Sequence, residues 1–377
     1  MNIKDFMNQL ESLSVHQYVG VPDSTLKDFC DELNLHVPND RHFVTVNEGA
    51  AVGLASGFYL GEGTLSCVYM QNSGMGNAIN PIASLIHQKV YDIPMLFLIG
   101  YRGEPGKKDE PQHKFQGEIT LPLLDCLEIN HATIKQDTNL QELQRIIQAA
   151  KKAIEENRQY AIVITKDTFS SEETYSFDNH HSLKREEAIE EILKHTCESD
   201  IVVSTTGKIS REVYEQCDQL FHNHERAFLT VGSMGHASMI ALGIALKNPT
   251  RQVYCIDGDG AALMHMGSMA FIAQQHVANL THIVLNNEAH ESVGGMPTNC
   301  QGVALHQVAK ACGYASTTQV DSLSSLHQSL ITERNKAGST FIEVMVSLGA
   351  RADLGRPKET AVENKIQFMK HIKESRN

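Results

Sequence analysis

Gln252–Ile256 reads QVYCI and runs straight into Asp257–Gly258–Asp259–Gly260–Ala261–Ala262. An apolar run this short, rich in β-branched and aromatic residues, reads as a buried strand. Glycines flank Asp259 and small helix-forming residues follow, so a strand turns into a helix at this point. The next apolar run, His282–Leu285, ends on Asn286–Asn287, 28 positions beyond Asp259. That distance suits one strand–helix–strand unit of a parallel sheet. The carboxyl ends of its two strands then meet at the edge where α/β folds bind ligands.

A diphosphate neutralised by Mg²⁺ needs such a place. Mg²⁺ takes about six oxygen ligands, one or two from carboxylates and the rest from phosphates and water. Asp259 offers a charge, the Asn287 amide a neutral oxygen, and the backbone carbonyl of Ala289 a third. Gly258 and Gly260 let the backbone approach the phosphates, and a helix N-terminus favours anions. The plainer reading is a glycine-rich turn without a ligand. Gly-Asp-Gly alone does not exclude it; the Asn pair across the unit argues against it.

Outward from this unit, short apolar runs alternate with helical patterns. Candidate strands are His16–Val21, Phe43–Val46, Leu65–Tyr69, Pro94–Ile99 and Tyr160–Thr165, then Asp200–Ser204, Ala227–Thr230, Gln252–Ile256, His282–Leu285 and Thr340–Val346. Leu140, Leu143, Ile147, Ala150 and Ile154 share one face of a 3.6-residue period, and Phe6, Leu10 and Leu13 mark a short helix at the start. Strands separated by helices imply parallel sheets covered on both faces. The polar stretch SSEETYSFDNHHSL, from Ser170 to Leu183, breaks the pattern. The expected fold class is therefore α/β: two doubly wound parallel-sheet domains, 1–169 and 184–377, joined by a linker at 170–183. The two halves share a scheme without a residue-level repeat.

The 377 residues carry 32 Lys and Arg against 45 Asp and Glu, a net charge of −13. No basic stripe offers itself to nucleic acid. No apolar run approaches the roughly 18 residues of a membrane span, and the first residues lack a signal-peptide pattern, so no membrane association and a cytoplasmic location are expected. Eight cysteines form no C-x-x-C pair and read as reduced thiols, and the 19 histidines form no H-E-x-x-H. His180-His181, in the linker, is not a metal motif.

Gly-Asp-Gly followed by Asn-Asn resembles the cofactor motif of the thiamine-diphosphate-dependent decarboxylases. The resemblance extends over nearly the whole chain, through Gly20–Val21–Pro22–Asp23–Ser24, Glu48–Gly49–Ala50–Ala51, Asn72–Ser73–Gly74–Met75–Gly76–Asn77, Gly207–Lys208–Ile209–Ser210–Arg211–Glu212 and Glu291–Ser292–Val293–Gly294–Gly295. Within that superfamily the chain is similar to the branch acting on phosphonopyruvate and sulfopyruvate. The resemblance implies thiamine diphosphate and Mg²⁺ as cofactors and a small anionic 2-oxo acid as substrate. It also implies a pyrimidine-binding first domain and a diphosphate-binding second domain. Self-association, as a dimer or larger, with the active site between subunits, follows from it too.

Residue by residue, Glu48 matches the carboxylic acid that serves the aminopyrimidine N1′. It should sit in an apolar place that keeps its proton available. By itself it reads rather as a first-turn carboxylate opposing a helix dipole; the Gly258-to-Asn287 motif reverses that preference. Met234, in Val231–Gly232–Ser233–Met234–Gly235, matches the apolar wedge that bends the cofactor, with core filling as the plainer role. Asp23 matches an active-site aspartate, and His113 lies in the loop that supplies polar groups over the substrate. Met296 stands after Gly295 where the resemblance expects glutamine. For the substrate anion the cations are Lys108, Lys208 and Arg211, among Arg102, Lys107, Lys114, Arg351 and Arg356; most of these also read as solvated surface charges. Three other activities stay open: a sulfopyruvate decarboxylase, a carboligase and a non-catalytic α/β nucleotide-binding module.

Overall fold

The computed structural model describes residues 1–334, 336 and 338–374. The chain divides into two compact units. One comprises Met1–Ser176 with Val293–Met296; the other comprises Phe177–Ser292 with Pro297–Asn377. The division at Ser176 falls inside the polar stretch 170–183.

The first unit holds strands β1 (Val15–Gly20), β2 (His42–Val44), β3 (Leu65–Gln71), β4 (Met95–Gly100), β5 (Asn130–Ile134) and β6 (Gln159–Ile164). They form one parallel sheet in the order β2-β1-β3-β4-β6-β5. Its central strands are apolar without a break because helices cover both faces. In β3, Leu65, Cys67 and Tyr69 enter the core with Phe6, Leu10, Phe29 and Ile147. The alternate residues Val68 and Met70 pack with Ala51, Val52, Met75 and Ala78 on the other face. The two-residue period of a strand thus feeds two cores at once.

The second unit holds β7 (Ile201–Ser204), β8 (Ala227–Leu229), β9 (Val253–Gly258), β10 (Leu280–Asn286) and the short strand β11 (Ala289–His290), then, after the short β12 (Met296–Pro297) at the division between the units, β13 (Ser316–Val320) and β14 (Thr340–Met345). Its parallel sheet runs β13-β14-β10-β9-β7-β8. Counted from the first strand of each sheet, both orders are 2-1-3-4-6-5. The shared scheme of the two halves is therefore one topology used twice.

Two strands in the sheets escape the sequence reading, β5 (NHATI) and β13 (STTQV). Each lies at an edge, with one neighbour and side chains largely half-buried or exposed, so neither needs an apolar run. In the helix Leu140–Glu155, Leu143, Ile147 and Ala150 are buried, whereas Leu140 is 57% exposed and lies off the packed face. Met296, where glutamine was expected, is fully buried in the first unit's core, with Asn34 Nδ2 3.0 Å from its sulfur. Among the described residues no helix is long and apolar enough to cross a membrane. The eight cysteines are unpaired.

Candidate active site

In the first unit the site is built at the carboxyl ends of the strands. The helix Glu48–Glu62 starts two residues after Val46, and the side chain of Asn47 caps it by accepting from the Ala50 N–H at 2.8 Å. Glu48 is 5% exposed. Asn77 Nδ2 donates to its Oε2 at 2.7 Å. A Cβ at Gly74 would lie 2.1 Å from its Oε1, so only glycine fits there. Burial raises the Glu48 pKa, with the Asn77 hydrogen bond opposing it. Among the described residues no ion pair involves Glu48. An ordinary helix-start carboxylate faces water; this one does not.

Asp23 follows β1 and is fully buried. Its Oδ2 accepts from the Thr25 N–H at 3.0 Å, while Oδ1 has no hydrogen-bond partner among the described residues. A Cβ at Gly100, the last residue of β4, would stand 2.0 Å from Oδ2. Burial raises the Asp23 pKa and the charge of Arg102 counters it. Arg102 is held by a bidentate pair to Asp109, at 2.9 and 2.5 Å, and by Ser24 Oγ at 3.0 Å. Asn72 pins the same loop, accepting from Arg102 N at 3.1 Å and donating to Arg102 O at 2.8 Å. His113 sits in the first turn of the helix Pro111–Cys126, with Nδ1 buried and unpartnered. Burial, then Arg102, lowers its pKa, which favours the neutral imidazole. Lys107, Lys108 and Lys114 are exposed, and no ion pair involves them among the described residues.

In the second unit, β9 ends at Gly258 and a helix begins at Asp259. Asp259 is 3% exposed, and Thr298 Oγ1 donates to its Oδ2 at 2.5 Å. Burial lifts its pKa to about 7, against hydrogen bonds from Thr298 and the backbone of Gly260 and Asn287. Asn287, after β10, thus reaches Asp259 through its backbone. Its Oδ1 accepts from the Ala289 N–H at 3.2 Å, its Nδ2 donates to Glu291 Oε2 at 2.9 Å, and its carbonyl accepts from Asn179 Nδ2 at 2.8 Å.

Ser233 and Gly235 both take positive φ, 58° and 87°, and turn the Gly232–Gly235 loop toward Gly260. A Cβ on Gly260 would meet His290 Cε1 at 3.2 Å and Met234 Cε and Thr298 Cγ2 at 3.3 Å. Met234 therefore overlies the Gly-Asp-Gly turn rather than filling the sheet core. Of the two basic residues in the helix Lys208–Phe221, Lys208 is engaged by Glu291 at 2.6 Å, and Arg211 is half-buried in the first turn.

No protein cation pairs with Asp259 among the described residues. A buried carboxylate at a helix start among neutral donors, with the backbone of Asn287 reaching it from the next strand end, offers oxygen of the kind Mg²⁺ prefers, and Asn287 and Ala289 carry further neutral oxygens close by in the chain. The residues therefore fit a cation carrying a diphosphate. Sequence reasoning missed Thr298, Asn179 and Arg185; nothing in their local pattern marks them. Asn77 and Glu291 lay within segments singled out above but had no role.

One topology used twice, a buried acid in the first half and a Gly-Asp-Gly turn in the second define a two-domain thiamine-diphosphate-binding protein. Family models agree: the N-terminal TPP binding domain of the thiamine pyrophosphate enzymes matches residues 3–124, and the C-terminal TPP binding domain matches 207–344. The chain is 35% identical to a phosphonopyruvate decarboxylase of Streptomyces viridochromogenes, over 97% of this chain and 93% of that protein. It is 33% identical to a phosphonopyruvate decarboxylase of Streptomyces hygroscopicus, over 95% and 90%. A sulfopyruvate decarboxylase of Methanosarcina acetivorans is 25% identical over 85% and 86%. The chain belongs to the phosphonopyruvate decarboxylase family of thiamine pyrophosphate enzymes.

Proposed function

We propose that this chain decarboxylates phosphonopyruvate to phosphonoacetaldehyde and CO₂, with thiamine diphosphate and Mg²⁺ bound. The observation that carries the chemistry is Glu48. Its carboxyl is buried at a helix start, held by Asn77 and packed against Gly74, and burial raises its pKa. The family relation over the full chain supports the choice of substrate.

Thiamine diphosphate, when bound, supplies the electron sink through which a 2-oxo acid loses CO₂. Asp259, Asn287 and the Ala289 carbonyl would hold Mg²⁺. Gly258, Gly260, Gly232, Ser233 and Met234 would line the cofactor. Glu48 holds a proton at the aminopyrimidine N1′. Asp23 and His113 handle the proton delivered to the carbon that has lost CO₂. Burial suits both roles, keeping Asp23 able to donate and His113 able to accept. Self-association, as a dimer or larger, belongs to the same reading, and the mass of the protein in solution measures it.

The substrate anion needs cations. Lys208 is already neutralised by Glu291. Arg102 is committed to Asp109. The exposed loop lysines, with Lys108 among them, carry no such partner among the described residues. Changing Lys107, Lys108 and Lys114 singly to Gln is expected to raise KM for phosphonopyruvate about 2- to 5-fold in at least one variant, the scale of one exposed charge pair. KM for pyruvate should stay unchanged. An equal response of both substrates in all three variants removes the loop from the anion site.

The assay that tests the whole reading is aldehyde release from phosphonopyruvate, sulfopyruvate and pyruvate by the purified holoenzyme. The highest kcat/KM is expected for phosphonopyruvate. The relation to the Methanosarcina protein makes sulfopyruvate the second reading, and a higher kcat/KM on sulfopyruvate selects it.

A further inference from the structure

Glu291 has no role in the scheme above, yet three donors converge on it. Lys208 Nζ donates to Oε1 at 2.6 Å, Asn287 Nδ2 donates to Oε2 at 2.9 Å, and Arg185 donates to Oε2 as well. Glu212 grips the same guanidinium through two bonds of 2.7 Å. The side chains of Arg185, Glu212 and Glu291 are only 5%, 2% and 11% exposed. Two cations balance two carboxylates, so the network buries no lone charge.

An asparagine amide presents a donor at one end and an acceptor at the other, and turning it over exchanges them. Glu291 can only accept from Asn287. A turned amide would set Oδ1 against the carboxylate oxygen that Arg185 also binds, with no proton between the two oxygens. The donor end is therefore tied to Glu291, and the oxygen end faces away, toward the turn that carries Ala289. Arg185, fixed by Glu212, keeps Glu291 from following the amide if it moves.

We propose that Glu291 is the positioning residue for Asn287: by accepting from Nδ2 it dictates which end of the amide is oxygen, and so presents Oδ1 as a neutral ligand to the divalent cation beside Asp259. This rests on the Mg²⁺ and thiamine-diphosphate reading above. It also gives Lys208 a task, holding Glu291, in place of contact with the substrate.

The test is calorimetric titration of the full-length protein with thiamine diphosphate across a Mg²⁺ series. Glu291→Met keeps the volume but loses the acceptor. Mg²⁺-dependent binding should weaken about 10- to 100-fold, the usual effect of removing an outer partner of a metal ligand. With Mg²⁺ and cofactor saturating, kcat should stay within about three-fold of wild type, because the loss lies in binding. Glu291→Gln should bind nearly as wild type. Its oxygen can still face Arg185 and Asn287, while Lys208, one-third exposed, turns to water.

A second pair of variants needs no loss of volume or acceptor. Asn287→Asp sets a carboxylate against Glu291 and should weaken Mg²⁺ binding despite the added charge; Glu291→Gln placed on top should recover it. Wild-type Mg²⁺ dependence in Glu291→Met overturns the inference, as does a loss in Glu291→Gln equal to that in Glu291→Met, or no recovery in the double variant. Asp259→Ala is the control. If it alone abolishes Mg²⁺-dependent binding, only the role of Glu291 fails. If it too is without effect, the cation site itself is misplaced.

Discussion

Glu48→Gln is expected to lower kcat about 10²- to 10⁴-fold, the range of a positioned acid–base group. The substitution keeps the length of the side chain and can still touch N1′, but an amide does not hand over a proton as a carboxylic acid does. The Asn77 bond at 2.7 Å and the bare Cα of Gly74 leave no room for another group to take its place. Exchange of the cofactor C2 hydrogen should slow in parallel. Thiamine diphosphate should still bind at high concentration, since the anchor proposed for it is Asp259 and its neighbours. Near-normal turnover and exchange in cofactor-saturated Glu48→Gln would return Glu48 to a buried helix-start residue with no chemical task.

Asp259→Ala should abolish Mg²⁺-dependent binding of thiamine diphosphate, with affinity falling by more than about 10³-fold, because it removes the charged side chain proposed to hold the cation on the protein. The fold should survive. In the free protein this carboxylate is buried without a cation, a state that costs stability rather than supplying it. Thermal unfolding without ligand should therefore be little changed, while the rise in Tm caused by Mg²⁺ and cofactor disappears. Retained cofactor affinity in this variant would falsify the assignment of the diphosphate site.

The central strands and the glycine turn were legible in the sequence. Gln252–Ile256, Leu65–Tyr69 and Pro94–Ile99 announce central strands because a strand covered on both faces must be largely apolar. Glycines around Asp259 mark a turn because a side chain there would close the space, as His290, Met234 and Thr298 around Gly260 make plain. Burial of Glu48 was expected from resemblance; the helix start at that residue was expected from the small residues that follow it.

The chain by itself determined the α/β class, the two sheets and the places where their strands end in chemistry, because hydrophobic period and glycine position are local records of burial and close approach. Tertiary structure alone decided the partners: Asn77 for Glu48, Thr298 for Asp259, Glu291 for Asn287 and Lys208, and a core position for Met296. It also supplied the edge strands β5 and β13, which need neither apolar face in full. A hydrogen bond between residues 29 or 39 positions apart leaves no periodic trace along the chain. It exists only once parallel strands have brought their carboxyl ends side by side.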